Sequence, residues 1–259
     1  MTLNNQTTRK VLLITGASRG IGAALAKCAG RAEYAVAINY HQSETEAQAV
    51  CQSVEREGGV ALTIGADVTS EADTIGMFER VALELGPVTH LVNCAGQSAD
   101  ILIEDITRDA IDQMMGLNLH SAIFCCREAV KHMRAHPRKS GGVIVNVSSR
   151  AAVLGGLAGR TLYAAAKGGM DSFTIGLARE VGPDNIRVVG VRPGPTKTST
   201  HDGRGGEDRL REIMKGTAAG RPGRNRRGHS LPIVRSIELH SWNHDRCKRR
   251  KVSDNHPSR

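Results

Sequence analysis

The chain has 259 residues, with 35 Lys or Arg against 26 Asp or Glu, for a formal net charge of +9. That length suits one large α/β domain with a well-buried core, and no apolar run approaches the ~20 residues of a membrane span. The excess charge is local: residues 221–259 hold eleven Lys or Arg against three acids, a net +8, which leaves about +1 on the preceding 220 residues.

Nucleic acid is therefore not an expected partner of the body, and the basic clusters Arg224–Arg227 and Lys248–Lys251 lack the interleaved aromatics or motif fold that would make them one. Six cysteines, two of them adjacent (Cys125 and Cys126) and none in a Cys-x-x-Cys spacing, suggest neither a disulfide framework nor a zinc site. They read as reduced and mostly buried thiols. The polar stretch Met1–Lys10 has no apolar core of a signal peptide, and a soluble, cytoplasmic protein with no metal is expected.

In chain order, Lys10–Thr15 reads as a short apolar strand. It runs into Gly16-Ala-Ser-Arg-Gly20-Ile-Gly22 and then the helical Ala23–Gly30. Strand, glycine turn and helix form the context in which glycines let a backbone approach a pyrophosphate and helix amides bind its charge. The alternation continues through a strand at Tyr34–Tyr40, a helix at Ser43–Glu57, a strand at Val60–Ile64, a helix at Glu71–Leu85 and a strand at Val88–Val92. Helix signals then run from Arg108 to His132, followed by a strand at Gly141–Val147, a helix at Leu162–Val181 and a strand at Ile186–Val191. Such alternation implies βαβ units and a parallel sheet covered on both faces. Gly16–Gly22, Asp67, Asn93–Gly96, Ser148, Ser149 and Pro193-Gly194 all fall just after predicted strands, where the ligands of parallel sheets sit.

Tyr163 and Lys167 lie four residues apart in the last long helix and so share a face. A fixed cation beside a phenol favours the phenolate, lowers its pKa, and equips Tyr163 as a general acid or base. Standing alone, the same spacing equally describes an exposed i,i+4 pair.

Taken together and in order, these motifs resemble the short-chain dehydrogenases/reductases over residues 10–220. The fold this implies is α/β, a doubly wound Rossmann-type parallel sheet in a single domain, residues 1–220. By that resemblance Thr15–Gly22 is the cofactor loop, with Gly16, Ser18, Arg19, Gly20, Ile21 and Gly22 in contact. Asp67 and Val68 meet the adenine, and Asn93, Ala95 and Gly96 come from the fourth-strand motif. Pro193, Gly194, Thr196 and Thr198 touch the nicotinamide carboxamide, and Tyr163 and Lys167 also reach the cofactor. The catalytic set implied is Asn118, Ser149, Tyr163 and Lys167. In the family Tyr163 would protonate the carbonyl oxygen, Lys167 would lower its pKa and hold the nicotinamide ribose, Ser149 would bond the substrate oxygen, and Asn118 would place a water. Adjacent strand residues face opposite ways, so either Ser148 or Ser149 serves. The family's spacing to Tyr163 selects Ser149. Asn118 also reads as a structural polar residue that bends its helix.

The end of the second strand, Asn39-Tyr40-His41-Gln42-Ser43, has no carboxylate before Glu44, and Arg19 lies in the glycine loop. A ribose 2′-hydroxyl calls for an acid there and a 2′-phosphate for cations, so NADP(H) is favoured over NAD(H). The expected activity is NADP(H)-dependent interconversion of a secondary alcohol and a ketone, acting on a small-molecule substrate. A dinucleotide-binding protein without turnover is the alternative. Ser199–Lys215, with Leu210, Ile213 and Met214 at helical spacing, resembles a mobile flap. Sugars, small ketones and 3-oxoacyl thioesters all remain open as substrates.

Past Arg221-Pro-Gly223 the family pattern stops. Allowed codons for Ser236–Ser253, moved on by one base, read Ala-Leu-Ser-Tyr-Ile-Ala-Gly-Thr-Met-Ile-Asp-Val-Asn-Gly-Gly-Lys-Tyr, which resembles the family's terminus. Trp242-Asn243 can give only Gly in that frame, and Arg226–His229 can yield Glu-Glu-Val. Residues 221–259 are therefore expected to be a basic, non-family tail left by a frameshift. The domain would then lack its last strand and the surface through which family members usually form homo-oligomers.

Overall fold

A computed structural model describes residues 9–135, 141–194 and 196. The described chain forms β1 (Val11–Ile14), α1 (Gly20–Arg31), β2 (Ala35–Tyr40), α2 (Glu44–Arg56), β3 (Val60–Gly65), α3 (Glu71–Glu84) and β4 (His90–Asn93). It continues with α4 (Arg108–Met115), α5 (Ser121–Ala135), β5 (Gly142–Val147), a short α6 (Ala151–Leu154), α7 (Thr161–Val181) and β6 (Ile186–Val191). Among the described residues the six strands make one sheet, ordered β3-β2-β1-β4-β5-β6. Every pairing is parallel, for example Leu13 beside Ala37 and Leu91, and Asn93 beside Asn146. This is the doubly wound α/β architecture expected, with its topological switch between β1 and β4.

All four residues of β1 and all four of β4 are buried, because crossover helices cover both faces of the central strands. Helices α3 and α5 supply one side of the core, where Met77, Phe78, Val81, Cys125, Ala129 and Met133 pack on Val11, Leu13, Leu91 and Ile144. Phe78 and His132 meet edge to face at 5.4 Å between centroids. Ser70 and Thr107 cap α3 and α4 through side-chain oxygens that accept from Asp73 N and Ala110 N. Among the described residues no helix is long and apolar enough to cross a membrane, and no group of His, Cys, Asp and Glu is placed to hold a metal ion.

The structure corrects four details of the sequence expectation. The helix signals over 108–132 resolve into two helices joined by a π turn, Gly116–His120, at Asn118, the residue read as bending its helix, whose Nδ2 donates to Met114 O and Gln97 O. That wider turn is the usual way an α-helix absorbs an extra residue beside a site. The helix after the glycine loop starts at Gly20, not Ala23. The fourth strand starts at His90 because Thr89 turns its hydroxyl onto Val11 N and O. Finally, of five described cysteines, all free, only Cys125 and Cys126 are fully buried. Cys28 and Cys51 lie on the partly exposed flanks of α1 and α2, and Cys94 lies in the loop after β4.

The flap (Ser199–Lys215), Thr198, and the tail beyond Arg221 lie outside the described residues.

Candidate active site

The glycine loop is held at the carboxyl edge of the sheet by two polar residues. Thr15 Oγ1 accepts from Cys94 N and Ala95 N at 3.0 and 3.1 Å, tying the end of β1 to the loop after β4. Asn39, buried at the end of β2, accepts from Gly16 N through Oδ1 and from Ala17 N through its carbonyl. Its Nδ2 reaches Tyr40 O, Ile64 O and Ala66 O. Neither tether was foreseen as part of the site. A polar residue directly after the apolar run Ala35–Ile38, within the same strand, was the available signal for Asn39.

Two glycines here are required by space. A Cβ on Gly16, whose φ is +62°, would stand 2.8 Å from Ala95 Cα, and one on Gly22 would stand 2.7 Å from Gly16 O. The first turn of α1 holds no acid, and the N-cap Arg19 makes no side-chain cap, so the amides of this helix end are left for an anion. Ser18, Gly20 and Ile21 flank that opening half-buried, and Arg19 is exposed.

The remaining predicted cofactor contacts divide into reachable and enclosed. Asp67 Oδ1 accepts from Thr69 N and Thr69 Oγ1 at 2.9 and 2.8 Å, with His41 Nε2 3.9 Å from Oδ2. Desolvation works to raise its pKa, but the Thr69 bonds and His41 outweigh it and hold the carboxyl below the ordinary range. Val68 is buried in the core, and its carbonyl accepts from Thr74 Oγ1 at 3.4 Å. Asn93 turns inward: Nδ2 donates to Asn146 Oδ1 at 2.8 Å and meets Cys126 Sγ at 3.2 Å. Asn146 Nδ2 in turn donates to Thr174 Oγ1, and Thr174 Oγ1 to Met170 O, a buried polar string between β4, β5 and α7. Asn93 therefore serves as scaffold under the site. Pro193 O accepts from Arg150 N, and Thr196 Oγ1 donates to Gly194 O.

The four predicted catalytic residues converge. Ser148 is buried and donates to Lys167 O, whereas Ser149, whose Oγ accepts from Ala151 N at 3.1 Å, stands beside the Tyr163 phenol and acts to lower its pKa. Just past the end of β5, Ser149 and not Ser148 is thus the serine at the phenol. Lys167 is 4% exposed, and its Nζ donates to Val147 O at 2.9 Å and lies 6.0 Å from the centroid of the Tyr163 ring. Asn118 Oδ1 is buried without a hydrogen-bond partner. A Cβ built on Gly96 would fall 2.8 Å from that oxygen and 3.3 Å from Lys167 Nζ. Gly96 thus keeps open the space between an unsatisfied acceptor and an ammonium, a polar setting suited to one water.

The electrostatics differ from the expected pairing of a phenol and a cation. Burial raises the Tyr163 pKa above its ordinary value, against the Ser149 hydrogen bond and the charge of Arg160, which lower it. Burial also pushes Lys167 down to about 8, against the raising effects of Cys94 and Asp171. At neutral pH the site holds a neutral phenol and a mostly charged lysine.

A nicotinamide dinucleotide fits these residues on three observations: a glycine cradle that a Cβ would fill, an uncapped helix end, and an orphaned amide oxygen beside the lysine. Relatives carry the same architecture. Residues 10–207 match the short chain dehydrogenase family. The chain is 39% identical over 204 residues to the uncharacterized oxidoreductase YgfF of Escherichia coli, covering 78% of this chain and 83% of that one. It is 32% identical over 233 residues to a short-chain dehydrogenase/reductase of Pestalotiopsis microspora, covering 88% and 83%. A solved short-chain dehydrogenase/reductase of Serratia marcescens, a doubly substituted mutant, superposes with a TM-score of 0.70 at 34% identity, over 74% of this chain and 76% of its own. With the strand order, the glycine loop and the converging Ser149, Tyr163 and Lys167, these likenesses mean that the chain belongs to the short-chain dehydrogenase/reductase family and is an oxidoreductase that uses a nicotinamide dinucleotide.

Proposed function

We propose that this chain is an NADP(H)-dependent enzyme that interconverts a secondary alcohol and a ketone, with Tyr163 as general acid and base. The observation that carries this reading is a half-buried phenol with Ser149 beside it and, 6.0 Å from its ring centroid, a buried lysine ammonium that shares the space at Gly96 with an unpartnered amide oxygen. When bound, the nicotinamide supplies or accepts the hydride. In reduction Tyr163, kept neutral by burial, gives its phenolic proton to the carbonyl oxygen, and Ser149 donates a hydrogen bond to the same oxygen as charge grows there. The Lys167 ammonium favours the phenolate left behind. A water on Asn118 Oδ1 returns a proton to Tyr163 by way of Nζ. In oxidation Tyr163 takes the alcohol proton by the same route.

The phosphorylated cofactor is favoured because β2 ends in Asn39-Tyr40-His41-Gln42-Ser43 without a carboxylate, while Arg19 stands exposed at the mouth of the glycine loop. NADPH is expected to bind more tightly than NADH. Arg19→Ala should narrow that gap by on the order of 1–2 kcal/mol, the size of one charge-assisted contact. Fluorescence titration of both cofactors against both proteins measures it, and equal affinities in the parent would refute the preference. The five described thiols are free, in keeping with a cytoplasmic setting.

The same proposal takes residues 1–220 as the catalytic domain and 221–259 as the product of a reading-frame slip. It rests on the shifted-frame sequence. The gene sequence over codons 220–259 from an independent isolate is expected to encode a terminus of the Asp-Val-Asn-Gly-Gly type. The same basic tail, found with no route to that terminus, would contradict it.

A further inference from the structure

Directly after Ser149 the chain carries a guanidinium that the mechanism above does not use. Arg150 N donates to Pro193 O at 3.1 Å, and Arg150 O accepts from Val153 N and Leu154 N at 3.2 and 3.1 Å. The residue is thus pinned by its own backbone between the loop that holds Ser149 and the segment after β6. Its side chain lies against that segment, since a Cβ built on Gly194 would meet Arg150 Cδ at 3.6 Å. Nε is bonded directly to that carbon, so the charge is held beside Gly194 and next to Ser149.

The neighbouring cations are committed. Arg192 donates through Nε to Asp171 Oδ2 at 2.6 Å, Arg160 to Asp100 Oδ1 at 2.8 Å, and Lys167 Nζ to Val147 O. Arg150 is exposed and, among the described residues, forms no ion pair and no side-chain hydrogen bond. The exposed side chains that follow it are apolar: Val153 and Leu154, on the short helix that Arg150 caps, are 60% and 53% exposed, and Leu157 is 40% exposed. Leu102, 49% exposed, belongs to the loop after β4, which Ile101 N joins to Gly159 O at 2.8 Å. Clamping Arg150 at both ends of its backbone narrows where the guanidinium can point, which lowers the cost of ordering it around a ligand.

We infer that Arg150 selects the substrate, which is a ketone bearing an anionic group, a carboxylate or a phosphate, on an aliphatic body. The guanidinium presents a planar fork of donors that matches either group. It grips the anion while the carbonyl oxygen rests between Ser149 and Tyr163, and the apolar side chains cover the aliphatic part. This rests on the reading of Ser149 and Tyr163 as the reacting pair and narrows its substrate class. The anion takes no part in the hydride or proton transfer and is carried unchanged into the alcohol.

The test compares kcat/KM for a series of aliphatic oxo acids with that for their neutral methyl esters, and for dihydroxyacetone phosphate with that for dihydroxyacetone. In the parent the anionic member of the series that fits is expected to lead its neutral match by roughly tenfold, the worth of one charge-assisted contact, mostly through KM. The lead should shrink as salt is added, disappear in Arg150→Gln and survive in part in Arg150→Lys. The oxo acids and the phosphate separate the two sources of the anion. A second arm needs no turnover: calorimetry on the NADPH-saturated protein should show hexanoate or hexyl phosphate binding more tightly than hexanol, with the advantage lost in Arg150→Gln. Ratios near one in both pairs, or a lead that persists in Arg150→Gln, would overturn the proposal. So would an Arg150→Gln protein that binds NADPH more weakly and keeps its ratios, because the guanidinium would then serve the cofactor. If no ketone is reduced while the calorimetric advantage is present and depends on Arg150, the functional reading fails and the anion site stands; if that advantage is absent, the anion site fails as well.

Discussion

Replacing Tyr163 by Phe is expected to slow ketone-dependent NADPH oxidation by about 10²–10⁴-fold, the usual worth of a positioned acid or base. The ring of Tyr163 fills the same space in both proteins, and only the hydroxyl that meets Ser149 is lost. NADPH affinity should therefore change little, because an interaction made mainly in the transition state is removed. Rates and binding isotherms measured side by side check this, and a Phe variant that keeps most of its rate would rule out the phenol as proton donor. The pH dependence has a defined sign. Reduction needs a neutral phenol and a charged lysine, so its rate should hold below pH 8 and fall as Lys167 loses its proton near about 8. Oxidation needs the phenolate and should gain as pH rises toward the raised pKa of Tyr163.

A Gly22→Ala substitution should be the most damaging change in the cofactor loop, although helix propensity alone points the other way. Alanine in a helix is better than glycine by about 1 kcal/mol. Here the added methyl would stand 2.7 Å from Gly16 O and 2.9 Å from Ala17 Cα, both backbone atoms that cannot swing aside like a side chain. Overpacking of that kind costs about 1–3 kcal/mol, and it is relieved only by opening the loop that Thr15 and Asn39 hold in place. The variant is expected to melt below the parent and to bind NADPH at least about tenfold more weakly, a loss of ~1.4 kcal/mol. A higher melting temperature with unchanged affinity would show that the loop is not the tight cradle the glycines imply.

The strands and their parallel order were legible in the sequence because each is a short apolar run followed by a helix signal. Ile186–Val191 matches to the residue. The break in the helix after residue 108 was legible only as the alternative that Asn118 bends its helix. Its cause is an amide that bonds Gln97 O across a distance of 21 residues, and local periodicity carries no trace of such a bond. The choice between Ser148 and Ser149 needed only the alternation of a strand and the family spacing, whereas the inward turn of Asn93 required its partners Asn146 and Cys126 to be in place. The electrostatics were the least accessible. Spacing placed Lys167 on the face of Tyr163, but it carries no measure of burial, which raises the phenol's pKa above its ordinary value. Arg160 is tied to Asp100, 60 residues away in sequence.

The central claim is hydride transfer to a carbonyl, and the most direct measurement is the fate of the hydride itself. Purified protein is incubated with NADPH deuterated at the transferring position and a panel of ketones, and the products are read by mass spectrometry. The account predicts an alcohol carrying one deuterium on its carbinol carbon, formed by the parent and not by Tyr163→Phe. NADPH bound tightly but no labelled alcohol from any ketone in the panel, or label formed equally well by the Phe variant, would contradict it.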